Sequence, residues 1–321
     1  MTPDTSPERP LVTFALFAYN QENYIRAAVE GAFAQTYQPL EIILSDDCSK
    51  DRTFEIMQEM AAVYKGPHRV ILRQNAVNQG LASHVNVVFE KSGGDIILLA
   101  AGDDISLPER TEISVDLLTQ NPAASAVLLS ANVMNADGNV IGRRSSGRQP
   151  NTQSLQTLHD LLNWRHRTFG ATRAIRRRVA EIFGALNSDC PTEDTPLLLR
   201  SLICGDNILS PRIGVLYRVH SANLSGAASL KSMNFDAIYD QYSSDIDLAL
   251  ERQLLAPPSV AQLREWMLPD RTARKIRLKL ANNEKPSVAD LVFIVRHTSF
   301  GFKDKIKTLS KFALIILGRP V

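Results

Sequence analysis

The chain of 321 residues has little cysteine and no long hydrophobic run. Cys48, Cys190 and Cys204 show neither a CxxC spacing nor a disulfide framework, which argues against structural zinc and favours a reducing compartment. No segment approaches the ~20 apolar residues that span a bilayer. Residues 1–10 lack the basic and apolar regions of a signal peptide. We therefore expect a cytoplasmic protein.

A strong excess of charge is also lacking. The formal net charge is +2, with 44% hydrophobic and 22% charged residues, so the composition is that of an ordinary globular protein and no nucleic-acid partner is expected. No GxGxxG motif follows the first apolar run, which disfavours a dinucleotide enzyme. The length allows one large domain or two ordinary ones.

Short apolar runs alternate with segments of helical period between residues 12 and 131. This pattern predicts an α/β fold, with a mostly parallel, Rossmann-like sheet and flanking helices. The predicted strands are 12–18, 40–44, 69–72, 95–99 and 125–134, and the predicted helices are 22–35, 54–64 and 81–91. Asp137 and Gly138 predict a hairpin turn after the last of these strands.

The second half of the chain predicts further helices and strands, after a basic loop at 143–150. We expect helices at 155–164, 177–186, 195–203, 234–255 and 259–281, and strands at 169–175 and 213–217. The expected domains are an α/β domain at 11–228 and a helical C-terminal extension at 229–321. The first would have two halves, at about 11–135 and about 136–228.

Two adjacent carboxylates, Asp103 and Asp104, follow the apolar run 95–102. Ligands of open α/β sheets bind at the carboxyl ends of strands, and hard oxygen ligands suit Mg²⁺ or Mn²⁺ and, through it, a diphosphate. Gly102 would allow close backbone approach. The alternative is a solvated loop in which one aspartate caps the next helix.

Polar residues also follow the first two predicted strands. Asp46 or Asp47 would accept a hydrogen bond from the imino NH of a pyrimidine, with further contacts from the backbone of Ala18 and Tyr19. Asn20 ends the same segment. Alternatively the acidic pair is solvated, and Asp51, which we expect to cap the following helix, is compatible with either interpretation.

A last acidic pair, Glu193 and Asp194, precedes a predicted helix. The helix dipole favours carboxylates there, so a capping role is one interpretation. A general base is the other, because the dipole and a nearby cation would keep the carboxylate ionised.

The order of these motifs resembles that of the family 2 glycosyltransferases of the GT-A fold. The resemblance covers residues 11–225 and is carried by Ala-Tyr-Asn20, Ser45-Asp-Asp-Cys-Ser-Lys-Asp-Arg-Thr53, Asn78-Gln-Gly80, Gly-Asp-Asp104, Thr-Glu-Asp194 and Tyr217-Arg-Val-His-Ser-Ala-Asn-Leu-Ser225. It implies a nucleoside diphosphate-sugar donor and a single-displacement transfer that inverts the anomeric centre.

The resemblance also assigns roles to individual residues. It implies nucleotide binding by Ala18, Tyr19, Asn20, Asp46, Asp47, Asn78, Gly80 and Asp103, Mn²⁺ or Mg²⁺ binding by Asp103, Asp104 and His220, and base catalysis by Asp194 or, less typically, Glu193. Ala101 departs from the family pattern, which usually has an aspartate there. Asp103 would then be the main metal ligand.

Two other functions remain open from the residues alone. A nucleotide-sugar binding protein without transferase activity would keep the acidic pairs but not use Asp194. A sugar nucleotidyltransferase would usually carry a Gly-rich basic loop after the first strand, which residues 17–22 do not provide.

The resemblance favours UDP- or dTDP-sugars and a saccharide or lipid-linked saccharide acceptor in bacterial surface polysaccharide or glycolipid assembly. The tail 303–321 joins lysines to a six-residue apolar run, 312–317. It predicts either a peripheral contact with the inner face of the cytoplasmic membrane or a last helix docked on the protein.

Overall fold

The computed structural model describes residues 9–221, 223, 233–297 and 302–317, with the backbone alone at 302–304. The chain forms two compact units. The first comprises 9–158, 167–188 and 192–219, and the second comprises 159–166, 189–191 and the described residues from 220 onward. The domain boundary predicted at 228 lies outside the described residues, and so does part of the motif 217–225.

The first unit is built on one sheet with the order β3-β2-β1-β4-β9-β6-β10-β5, to which β7 adds beside β6 and β8 beside β10. The strands are β1 Val12–Ala18, β2 Leu40–Asp46, β3 Arg69–Gln74, β4 Ile96–Ala101, β5 Ile105–Ser106, β6 Ala124–Met134, β7 Val140–Arg144, β8 Ser154–Gln156, β9 Arg173–Arg176 and β10 Asp206–Arg218. The strands β3, β2, β1 and β4 run parallel, while β9 joins β4 antiparallel.

Helices cover this sheet and bury its apolar side chains. They are α1 Ile25–Phe33, α2 Thr53–Val63, α3 Leu81–Lys91, α4 Arg110–Gln120, α6 Arg177–Phe183 and α7 Asp194–Cys204. The short α5 Leu158–Leu162 has all but its first residue in the second unit. All seven residues of β1 are buried, as expected for a central strand covered on both faces. Phe14 and Leu16 of this strand belong to the main core.

The sequence pattern locates the first half of the fold well, and it is less accurate in the second half. Residues 155–164, predicted as a helix, instead end strand β8 and form α5, because Leu155 pairs with Ile208 of β10. Residues 169–175, predicted as a strand, form a 3-10 turn at Gly170–Thr172 followed by β9. Residues 143 and 144 of the predicted loop belong to β7.

The hydrophobic pattern does not predict α4, because three of its buried residues are polar. Arg110, Thr111 and Ser114 are at most 1% exposed. Gln35 accepts hydrogen bonds from the backbone and hydroxyl of Thr111, and Arg110 donates to the carbonyl of Leu99 at 2.5 Å. Tertiary hydrogen bonds therefore satisfy the buried polar side chains of this helix face, which the pattern of hydrophobic residues does not reveal.

The second unit is helical. Its helices after α5 are α8 Asp236–Glu251, α9 Pro257–Ala281, α10 Val288–Arg296 and α11 Phe302–Ile316. The helix predicted at 259–281 begins two residues earlier, with Pro257 and Pro258, since the first N–H groups of a helix have no intrahelical partner and proline is tolerated there. Asp270 is buried and accepts from Tyr239 and Arg274. Within the described residues, no helix is long and apolar enough to cross a membrane.

Candidate active site at the carboxyl edge of the sheet

The sheet register brings the predicted nucleotide-binding and metal-binding segments to one edge. Ala18 at the end of β1 lies opposite Asp46 at the end of β2, and Phe17 lies opposite Ala101 at the end of β4. Gly102 follows β4, and its backbone N donates to the carbonyl of Phe17 at 2.8 Å. The three strand ends are therefore joined directly, as in ligand-binding edges of open α/β sheets.

Asp46 organises the turn that follows β2. Its side chain is fully buried and accepts hydrogen bonds from the backbone N and hydroxyl of Ser49. The Gln74 amide donates to the same carboxylate at 3.0 Å. Ser49 in turn accepts from the backbone N of Asn20, so this carboxylate holds the turns after β1 and β2 together.

Asp47 fixes the loop that precedes α3 by accepting hydrogen bonds from its backbone. Its carboxylate accepts from the backbone N of Gln79 at 2.9 Å and of Gly80 at 3.0 Å, and from the side-chain amide of Asn75 at 2.6 Å. The carbonyl of Asp47 accepts from the side chain of Asn78. Gly80 has a φ of 78°, a conformation that favours glycine.

The residues after β1 form the open side of this edge. Asn20 has a φ of 52°, and its side-chain oxygen accepts from the backbone N of Lys50 at 2.8 Å. Tyr19 is 43% exposed, so an aromatic ring is available to a ligand. Arg52 is the N-cap of α2, and the preceding Asp51 accepts from the backbone N of Thr53, the first residue of the helix.

A buried polar cluster contacts Ser45, the residue that precedes Asp46 and Asp47. Ser45 lies 2.5 Å from the Nε2 of His84 and accepts from Arg73, which also donates to Asn75. Burial, together with nearby Arg73, lowers the pKa of His84 to about 4, so its ring is neutral at pH 7. Phe17 packs edge-on against this ring.

Arg218 fixes the turn that contains Asp103 and Asp104. Its backbone N donates to the Oδ1 of Asp104 at 2.8 Å, and its Nε donates to the carbonyl of Asp103 at 2.9 Å. Both aspartates are at least 90% buried, and the Oδ2 of Asp104 has no hydrogen-bond partner among the described residues. Burial and the adjacent Asp103 raise the pKa of Asp104 well above its usual value.

Asp103 and Asp104 fit a divalent cation of the kind that is shared with a diphosphate. Mg²⁺ is typically held by one or two carboxylates together with substrate phosphates, and the unpartnered Oδ2 of Asp104 is a buried acceptor without a donor. Among the residues that the structure describes, no group of three or more His, Cys, Asp or Glu side chains could hold a metal alone. His220 lies two residues beyond Arg218, in the second unit, and its role stays a prediction.

The second acidic pair lies at the start of α7. Asp194 is the first helical residue and Glu193 precedes it. The fully buried Arg173 places its Nη1 3.4 Å from the Oδ1 of Asp194 and donates to the Asp194 carbonyl at 3.0 Å. The other terminal nitrogen of Arg173 donates to Thr168. The orientation of Asp194 is therefore set by a buried cation as well as by the helix.

The carboxylates of Glu193 and Asp194 also lie close to Gly170. A methyl group built on Gly170 would overlap the carboxylate of Asp194 and lie 2.9 Å from the Oε1 of Glu193. Burial and the adjacent Asp194 raise the pKa of Glu193 to about 7. Glu193 therefore carries a proton for much of the time at neutral pH. The guanidinium of Arg173 lies beside the carboxylate of Asp194.

The register of β9 places Arg173 toward the same sheet edge. Ala174 lies opposite Leu98 in the antiparallel pair of β9 and β4, so Arg173 lies nearer the carboxyl end of β4. The sequence did not single out Arg173, Gly170 or His84, and it gave Arg218 no role of its own within the motif 217–225. Only their positions after folding distinguish them from the many other arginines and glycines of the chain.

Comparison with known proteins gives the same result as the motif order. The family model described as Glycosyl transferase family 2 matches residues 13–183, which is more than half of the chain. The putative glycosyltransferase EpsE of Bacillus subtilis is 36% identical over 112 residues, 35% of this chain and 40% of EpsE. The probable glycosyltransferase YdaM of the same organism is 29% identical over 210 residues, 63% of this chain and 49% of YdaM. The chain thus matches about half the length of these relatives.

Solved structures show the same fold at low sequence identity. S. aureus TarS 1-349 in complex with UDP-GlcNAc has a TM-score of 0.56 and 15% identity, covering 96% of this chain and 92% of that chain. The mannosyltransferase PcManGT of Pyrobaculum calidifontis, in complex with GDP-Man and Mn²⁺, has a TM-score of 0.57 and 16% identity, covering 97% of this chain and 81% of that chain. The expected GT-A fold with C-terminal helices is confirmed. This chain belongs to glycosyl transferase family 2.

Proposed function

We propose that this protein transfers a sugar from a nucleoside diphosphate-sugar to an acceptor hydroxyl, with inversion at the anomeric carbon. The observation that carries the proposal is that Asp46 and Asp47, at the end of β2, and Asp103 and Asp104, after β4, lie at the same edge of the sheet on either side of β1. Family membership supports the same class of reaction.

The nucleoside is proposed to bind over the turns after β1 and β2. The exposed ring of Tyr19 and the backbone near Ala18 would contact the base, and Asp46 and Asp47 hold both turns in place. UDP- or dTDP-sugars are the favoured donors, with the imino NH of the pyrimidine proposed to share an oxygen of Asp46 or Asp47 with the internal donors of these carboxylates. Asn78 and Gly80 would shape the rim of the site through their contacts with Asp47.

The diphosphate is proposed to lie near Asp103 and Asp104, which would hold Mn²⁺ or Mg²⁺. Such a cation offsets negative charge on a departing diphosphate. Arg218 contributes in two ways that the structure supports. It fixes the carboxylate of Asp104 through its backbone, and it brings a guanidinium to the carbonyl of Asp103.

Asp194 is the proposed general base. It would accept the proton of the acceptor hydroxyl while the oxygen attacks the anomeric carbon from the face opposite the diphosphate. Arg173 orients this carboxylate through its contacts with the side chain and the carbonyl of Asp194. Glu193, with its raised pKa, would hold a proton and so limit repulsion beside Asp194. A direct displacement of this kind requires no covalent enzyme intermediate.

The test is nucleoside diphosphate release from a panel of UDP-, dTDP- and GDP-sugars with Mn²⁺, using water and simple saccharides as acceptors. Asp194→Asn should lower release by at least ~100-fold, the usual scale of general-base catalysis, with little change in nucleotide affinity. The control is Asp137→Asn, on the exposed hairpin after β6. Equal release by both variants would exclude Asp194 as the base.

A binding protein without transferase activity would give another result. It would bind a nucleotide-sugar tightly, and neither the wild type nor Asp194→Asn would release the nucleoside diphosphate. The proposed acceptor is a saccharide or lipid-linked saccharide used in surface polysaccharide or glycolipid assembly.

A further inference from the structure

Helices α10 and α11 carry exposed apolar side chains beside basic ones. We propose that these two helices form a surface that binds a bilayer containing anionic lipid, with their apolar side chains in the membrane interface. This surface extends beyond the tail 303–321 to which the sequence pointed, because α10 contributes to it.

The inner faces of both helices are already occupied. Ile294 of α10 and Phe312 and Ile315 of α11 are buried in one cluster with Ala273 and Ile276 of α9. The Nζ of Lys305 also donates to the carbonyl of Val295 in the last turn of α10. The helices thus have a fixed orientation in the second unit, and the side chains opposite their inner faces cannot also turn inward.

The outer face of α10 is an apolar stripe. Val288, Val292 and Val295 recur at i, i+4 and i+7, on one side of the helix, and are 78%, 44% and 57% exposed. Leu291, Val292, Val295 and Arg296 also line an open recess. An exposed apolar stripe with a recess is typical of an interaction site rather than of scattered surface residues.

The outer face of α11 has the same character. Ile306 is 53% exposed, and the exposed Ala313 lies at i+7 from it. Leu317, the residue after the helix, is 68% exposed and lies at i+11. Ile316 is 52% exposed on the same helix. Amphipathic helices that lie in a membrane interface bury such side chains and keep basic residues near the headgroups.

The charge around these stripes identifies the partner. Residues 288–317 contain five basic and two acidic residues. One of the acids, Asp290, is already bound to Lys279 at 2.6 Å and caps α10 through Ser287. Lys307 and Arg296 are exposed beside the apolar side chains. Anionic headgroups complement this charge, whereas a second copy of the same face would bring like charges together.

The test is flotation of the full chain with vesicles of phosphatidylcholine, alone or mixed with phosphatidylglycerol. The protein should float with the mixed vesicles only, and binding should weaken as salt is added. The double variant Val292→Asp with Val295→Asp should bind at least ~10-fold more weakly. Lys307→Gln should bind about five-fold more weakly, as expected for the loss of one basic residue near the surface.

Val63→Asp is the matched control, since Val63 is 72% exposed on α2 of the first unit. It should float like the wild type. Absence of wild-type flotation, or equal flotation of all variants, would overturn the proposal. So would a wild-type dimer that the double variant dissociates without any vesicle binding, because the face would then be a contact between copies. Nucleotide titration of each variant reports separately on the donor site.

Discussion

The guanidinium of Arg173 lies 3.4 Å from the carboxylate of Asp194 and donates to the carbonyl of the same residue. Arg173 is fully buried, so this ion pair is not screened like one on the surface. A cation that contacts both the side chain and the backbone of one residue restricts the rotation of that side chain and places a positive charge beside it. Arg173 is therefore a positioning residue for the proposed base.

The variant Arg173→Lys should show whether Arg173 positions the proposed base, Asp194, or contributes to substrate binding. Lysine cannot serve the carboxylate, the carbonyl of Asp194 and the hydroxyl of Thr168 together, because it lacks the planar fork of arginine. We expect kcat for donor cleavage to fall by ~10- to 100-fold while KM changes little. Arg178→Lys, on an exposed arginine, is the control. A change in KM alone would contradict the positioning role.

Gly170→Ala should displace the carboxylate of Asp194. The added methyl group would overlap that carboxylate, which cannot swing away freely because Arg173 holds it. Donor cleavage should fall by ~10-fold or more, while nucleotide affinity stays within about two-fold. Gly142→Ala is a matched control, since a methyl group there meets nothing within 4 Å. Full activity of Gly170→Ala would show that this contact is not required.

The carboxyl group of Glu193 should make the free energy of unfolding depend on pH. Its folded pKa of about 7 lies above the unfolded value of 4.5, so the folded state binds the proton more tightly. Its stabilising contribution is present below about pH 4.5 and is lost as pH rises through about pH 7, by at most about 3 kcal/mol. Urea unfolding at several pH values should show this loss in the wild type but not in Glu193→Gln. Parallel pH profiles of the two proteins would refute the assignment.

Asp47→Asn should loosen the loop before α3. The carboxylate accepts from two backbone N–H groups and from Asn75, and an amide replaces one acceptor with a donor. We expect the free energy of unfolding to fall by ~1–3 kcal/mol and nucleotide binding to weaken. Chemical denaturation and calorimetry measure the two effects. Asp137→Asn should change neither quantity, and an Asp47→Asn protein that matched it would contradict this account.

The strand ends could be predicted from the sequence because fully buried strands appear as continuous apolar runs. Val12–Ala18 and Leu40–Asp46 are examples, and their polar successors necessarily meet at one edge once the strands are parallel. Asp46, Asp47, Asp103 and Asp104 were found in this way.

Arg173 and Gly170 could not be predicted, since their roles depend on tertiary contacts with α7. A buried arginine contradicts the usual preference for exposure, and its partner is 21 positions away along the chain. The same reason explains the missed helix α4, whose buried Arg110 and Thr111 break the apolar pattern.

The most direct test of the donor site is calorimetric titration with UDP, dTDP and GDP, with and without Mn²⁺, on the wild type and on Asp103→Ala. Asp137→Ala serves as the control for loss of an aspartate. We predict tight, Mn²⁺-dependent binding of a pyrimidine diphosphate by the wild type and the control, lost in Asp103→Ala. No binding of any diphosphate by the wild type under either condition would contradict the proposed donor site.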